Sequence, residues 1–168
     1  MTIIRAVPED EAPEGVERYY AEDRAAFGHV ATHTTAMAVN PAAYAAFRAL
    51  TASTIESLGF RGFELVTLAA ALGTGSRHCR LAHGQKSLKV FDESQLERIA
   101  LDYTDAGLTD ADSLRLREAG FSDRQIVDIT VAAAARVYYG RALQALAVEV
   151  DVPPSLSEPL RNALVDGI

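Results

Sequence analysis

The residues capable of chemistry cluster in one stretch, Glu64 to His83, which reads ELVTLAAALGTGSRHCRLAH. It contains Cys79, the only cysteine, together with His78 and His83, two of the four histidines. Ser76, Cys79 and His83 are spaced i, i+3, i+7, so on a helix they share one face. Gly73-Thr74-Gly75 reads as a break followed by a new helix start. Cys79 then falls in an opening turn, where unpaired N–H groups and the helix dipole favour a thiolate. Glu64 sits among Phe63, Leu65, Val66 and Leu68, where a buried carboxylate is costly unless hydrogen-bonded or protonated. A thiol, an imidazole and a buried acid make a proton relay. His83, one turn on, is placed to take the thiol proton and leave a nucleophilic thiolate. Glu64 and Ser76 orient His83 and pass protons. His78 points to a different face, towards solvent or a supporting role. The competing readings are a structural buried cysteine, a Glu64 paired with Arg61 or Arg77, and a hydrogen-bonded core His83.

This spacing resembles the alkylhydroperoxidase AhpD / carboxymuconolactone decarboxylase-like family. Its redox members carry Glu, then Cys-x-x-Cys-x-x-x-His, with a His before the second Cys. Glu64, His78, Cys79 and His83 fall at the matching positions, and Ser76 stands where the first cysteine would be. The resemblance is strongest over about 40–90. It implies an all-α, AhpD-like helical bundle with the motif on a helix-turn-helix pair, assembling as trimers, hexamers or similar homo-oligomers. It also implies a thiol-dependent peroxidase acting on small or organic hydroperoxides. Serine cannot form the disulfide of that cycle. Three explanations stand side by side: a one-cysteine peroxidase regenerated by an external thiol, a pocket put to other chemistry, or an engineered substitution. Two other functions remain open. One is a cofactor-free lyase or isomerase like carboxymuconolactone decarboxylase, with His83 as acid/base on a small carboxylate. The other is a non-catalytic oligomeric module.

The totals agree with a helical domain. The chain has 168 residues, 49% of them apolar, with Ala-rich blocks and no Trp. One domain over 1–168 is expected, with an N-terminal arm at 1–12, a core over about 13–150 and a short C-terminal helix within 153–168. A net charge of −7 and a pI near 5.1 argue against a nucleic-acid partner. No apolar run reaches the ~20 residues that span a bilayer. The N-terminal residues lack the pattern of a signal peptide, so a cytoplasmic location is expected. One cysteine leaves no internal disulfide. There is no Gly-rich phosphate loop and no G-x-S-x-G elbow, so no cofactor is called for. His29-x-x-x-His33 could pair two imidazoles, but nothing closes a four-ligand metal site by spacing. These two are placed in a loop near a pocket or in solvent, and Tyr138 and Tyr139 in core or interface.

No run alternates polar and apolar residues over a strand's length. The punctuation predicts helices over 13–27, 41–57, 61–72, 76–90 and 93–103. A short helix opens at Thr109, after a break at Gly107, and ends at Gly120. Ser122 and Gln125 form a capping-box pattern ahead of a long helix over 123–148, apolar on most sides from Ile126 to Tyr139. A linker at Pro153-Pro154 leads to a terminal helix over 155–166. Residues 29–39 are predicted as a loop or one short turn of helix, with Tyr44, Phe47, Leu50 and Ile55 inward on the second helix.

Overall fold

Several helices begin where an N-cap side chain accepts an amide of the first turn, and left-handed glycines end or interrupt others. The computed structural model describes residues 3–101 and 115–168. α1 spans Glu17–Phe27 and ends at Gly28, in the left-handed region at φ 80°, whose N–H bonds to the Arg24 carbonyl. It starts later than the Pro13 predicted because Gly15 takes φ 82° and holds 14–16 in a turn. α2 spans Thr32–Met37, where the sequence suggested a loop or one turn. Ala31, at its N-cap, offers no side-chain acceptor. Asp151, far along the chain, accepts both the Thr32 amide at 2.7 Å and the Thr32 hydroxyl.

α3 spans Pro41–Gly73 and is capped by Asn40, whose Oδ1 accepts the Ala43 amide at 3.1 Å. It is interrupted at Gly59, with φ 68° and ψ 160°, so the two predicted helices stand end to end with a break between them. α4 spans Arg77–Ser87, and its N-cap is Ser76. α5 spans Glu93–Leu101, opened by a reciprocal bond between Asp92 and Gln95. The predicted end of α5 at 103, the break at Gly107 and the helix start at Thr109 lie outside the described residues. Residues 115–118 are helical, and Gly120 follows at φ 89°. α6 spans Asp123–Ala145, with both bonds of the Ser122–Gln125 capping box formed. It stops short of the predicted 148, where Ala147 turns left-handed at φ 49°. α7 spans Glu158–Val165, capped by Ser157. There is no strand among the described residues, and none of their helices is long and apolar enough to cross a membrane.

α3 packs along α6 and against α4, while α5 and α7 close on each other and α7 on α4. Two buried clusters result. One gathers Tyr44, Phe47, Cys79, Tyr139 and Leu143 around the α3–α4–α6 junction. The other joins Leu68, Leu81, Leu96, Leu160 and Leu164. Arg80 ties the second together. Fully buried, its guanidinium donates to the carbonyls of Leu164 (2.6 Å), Ala100 (2.8 Å), Leu68 (3.3 Å) and Ala163 (3.4 Å). It thereby fills orphan acceptors near the C-termini of α5 and α7. One predicted inward position differs: Leu50 is exposed. Tyr138, expected in core or interface, is 53% exposed on α6, where Val127 and Val137 are exposed too. α6 is apolar on most sides, but only one stripe is buried, running from Asp128 through Ala132, Ala135, Arg136, Tyr139 and Gly140 to Leu143.

Candidate functional site

The α3–α4 pair places Glu64 one helix away from the Cys79–His83 turn, and the side chains meet across that gap. His83 Nδ1 lies 2.7 Å from Glu64 Oε2. Glu64 is 1% exposed, and His83 is also buried. Burial pushes the Glu64 carboxyl up to about 7, while Lys86 and Arg136 pull it partly back. Burial also holds His83 well below its ordinary value, with Arg136 and Lys86 adding to the effect. The pair is therefore net neutral below about pH 7 and carries one negative charge above it. Below about 7 Glu64 keeps the proton and donates to Nδ1. Above it, the carboxylate accepts from Nδ1–H, which leaves Nε2 with a free lone pair.

This pair lines a cavity of about 280 Å³. Its walls carry four cationic side chains, Arg48, Lys86, Lys89 and Arg136, together with His33, Tyr44 and Tyr139. Arg48 is held by Glu22. Arg136 is different. It is 5% exposed, its Nε has no hydrogen-bond partner, and it forms no ion pair with a carboxylate among the described residues. Its Nη1 faces Cys79 Sγ at 3.8 Å.

Cys79 is the third residue of α4, in the first turn, as its sequence context predicts. Its exposure is 0%, and it is packed in the first core cluster. Arg136 is thus the residue that both touches the sulfur and lines the cavity. Ser76 does not share the helical face. As N-cap it has φ −89° and ψ 88°, and its hydroxyl accepts the Cys79 amide at 3.4 Å. It is pressed against α6 at Gly140, where a Cβ would stand 3.1 Å from Ser76 Oγ. The small residue at 140 lets the two helices approach there.

No family model matches the chain, and no curated protein matches it. Among solved structures it is similar to the crystal structure of an alkylhydroperoxidase AhpD core, an uncharacterized peroxidase-related protein from Ralstonia eutropha JMP134. The TM-score is 0.67 at 16% identity, over 98% of this chain and 96% of that one. The chain has the AhpD-like fold. At that identity the likeness covers architecture, and the roles of individual residues rest on the geometry above.

Within the AhpD-like fold, Glu64 and His83 come together across the α3–α4 gap, while Cys79 meets Arg136 and Ser76 meets Gly140, both on α6. His78 turns the other way. Its Nε2 lies 2.8 Å from His33 Nδ1, and its own Nδ1 is buried without a partner. His29 and His33 both line a small outer pocket with His78 and Asp151. Among the described residues no group of three or more His, Cys, Asp or Glu is arranged to hold a metal ion. Arg136 and His33 were not singled out as functional from the sequence. Arg136 sits in an Ala-rich helix and reads as a solvated charge, and α2, which places His33, is capped from 119 residues away.

Proposed function

We propose that this chain is a one-cysteine, thiol-dependent peroxidase acting on small organic hydroperoxides, with Cys79 as the nucleophile. The observation that supports it most is the Arg136 guanidinium against the Cys79 sulfur. A buried guanidinium without a carboxylate is costly, and it keeps its proton in a protein. A thiolate at Cys79 offsets that cost, and the first turn of α4 favours the same charge. Ser76 supports the turn as its cap.

The step balances as thiolate plus hydroperoxide plus one proton, giving a sulfenic acid and an alcohol. The sulfur attacks the distal oxygen, the O–O bond breaks, and the departing alkoxide takes a proton from the Glu64–His83 pair. Two equivalents of an external thiol then return the sulfenic acid to the thiol, releasing water and a disulfide. Ser76 cannot serve as resolving residue, so no internal disulfide forms. The hydroperoxide meets Arg136 first, and rotation of that side chain opens the way to the sulfur. Association into a homo-oligomer, in the cytoplasm, belongs to the same reading.

A second reading is favoured by a different observation: the Glu64–His83 pair faces the cationic cavity, whereas the sulfur does not line it. Here His83 is the acid/base of a lyase or isomerase, and the cavity's cations hold a small carboxylate. The two readings separate in one experiment. Purified protein is treated with tert-butyl hydroperoxide and dithiothreitol, and Cys79→Ala is compared with His83→Ala. The peroxidase reading expects a sulfenic acid on Cys79 by mass spectrometry and no turnover in Cys79→Ala. A sulfur that stays unoxidised under excess peroxide overturns it. Turnover of a small lactone or keto acid that survives Cys79→Ala but not His83→Ala establishes the second.

A further inference from the structure

His33 lies outside the Glu64–His83 stretch, on α2, yet it is the residue that lines both the inner cavity and the small outer pocket. Between those two spaces it meets His78. The rings are T-shaped with centroids 4.5 Å apart, and Nδ1 of His33 faces Nε2 of His78 at 2.8 Å. Two neutral imidazoles at that distance share one proton, leaving one further nitrogen on each ring. On His78 that nitrogen is Nδ1, buried and without a hydrogen-bond partner. A buried polar atom left open is costly and calls for a role. Burial keeps both rings uncharged in the resting state.

We propose that His33 and His78 form a two-ring proton conduit between the Glu64–His83 cavity and the outer pocket. A proton arriving from the outer pocket at Nδ1 of His78 releases the shared proton from His78 Nε2 to His33 Nδ1, and His33 gives up its Nε2 proton to the cavity. The net result is one proton moved and no charge left behind. In the oxidative half of the proposed turnover the buried pair gives a proton to the alkoxide, and a proton is freed only later when the thiolate re-forms, so the pair must be recharged between the two half-reactions. This inference rests on that reading for its purpose but not for its existence. The charged groups around the dyad fit a neutral carrier. Lys86, Arg136 and Arg48 all disfavour a lasting imidazolium at His33, and Asp151, which lines the outer pocket, favours the arrival of a proton at His78. Asp151 also anchors the start of α2 and so fixes His33 in place. His29, on the wall of the outer pocket, is the group beyond the second ring.

The test reads the proton directly and needs no substrate. Exchange of the His83 ring N–H with solvent is followed by ¹⁵N NMR at about pH 8, where Nδ1 carries it. His33→Gln keeps a side chain able to bond His78 but cannot relay a proton. It is expected to slow that exchange by about tenfold or more. His78→Gln should slow it equally, and the double variant no further, because both residues lie on one path. Unchanged exchange in either folded variant, or additive slowing in the double, overturns the conduit. Should the variants not fold, wild-type exchange that occurs only through global unfolding overturns it equally. Slowed exchange in a protein with no peroxidase turnover leaves the conduit standing and removes the function proposed above.

Discussion

Glu64 shows how a single buried carboxyl sets the behaviour of its neighbours. Its pKa is raised to about 7 in the fold, against 4.5 as a free side chain. Between those values the native protein holds a proton that the unfolded chain has lost. Stability contributed by this group is therefore full below pH 4.5 and falls as pH rises to 7. The span corresponds to about 3 kcal/mol. Glu64→Gln removes the titration, so the stability of wild type relative to the variant, measured by urea melts, should fall by roughly that amount between pH 4.5 and 7. A constant difference would mean that Glu64 is ionised throughout. The acid, the thiol and the base were legible in the sequence because residue type and helical spacing are local properties. The guanidinium beside the sulfur was not, because only the α4–α6 packing reveals which of sixteen Lys and Arg residues is buried.

The same distinction between local and distant causes holds for whole elements. Asn40, the Ser122–Gln125 box, Gly28 and Gly59 mark their boundaries where the sequence places them, since caps and breaks act within a few residues. The sequence does not separate a loop from a short turn of helix at α2, because Asp151 supplies the acceptor that no neighbour offers. Arg80 is another long-range device. Replacing it with Met keeps the volume but withdraws the donor that four carbonyls share, and calorimetry should show a loss of about 3 kcal/mol or more. A loss under about 1 kcal/mol would mean that water reaches those oxygens. Helix approach is tested at Gly84, where an added Cβ would stand 2.3 Å from Leu164 Cδ1 in α7. Leu164 is itself fully buried, so it cannot simply swing outward. Gly84→Ala is expected to destabilise by about 1–3 kcal/mol, and pairing it with Leu164→Ala should recover part of that loss, measured by the same melts.

At the scale of the whole molecule, the interior favours uncharged groups, and this decides how the protein responds to acid. Glu64 is held protonated and His83 neutral. Between pH 4.5 and 6.5 the folded pair carries one carboxyl proton and one ring proton. Unfolded, it carries no carboxyl proton and two ring protons. The totals are equal, so the pair adds no slope in that window. His78 has no such counterweight. Burial pushes it down to about 4, so the unfolded chain binds a proton below 6.5 that the native protein refuses. The unfolded state then holds more protons, and stability falls as pH falls, at about 1.4 kcal/mol per pH unit down to about 4. His33, lowered in the same direction, steepens the fall. The melting temperature should therefore drop steadily from pH 6.5 to 5, and His78→Gln should make that drop shallower while leaving the value at pH 7.5 nearly unchanged. A wild-type melting temperature that is flat or rising on acidification would mean that His78 is protonated in the fold. A charged His78 would still bond His33 at 2.8 Å, but it could not pass a proton onward as a neutral carrier.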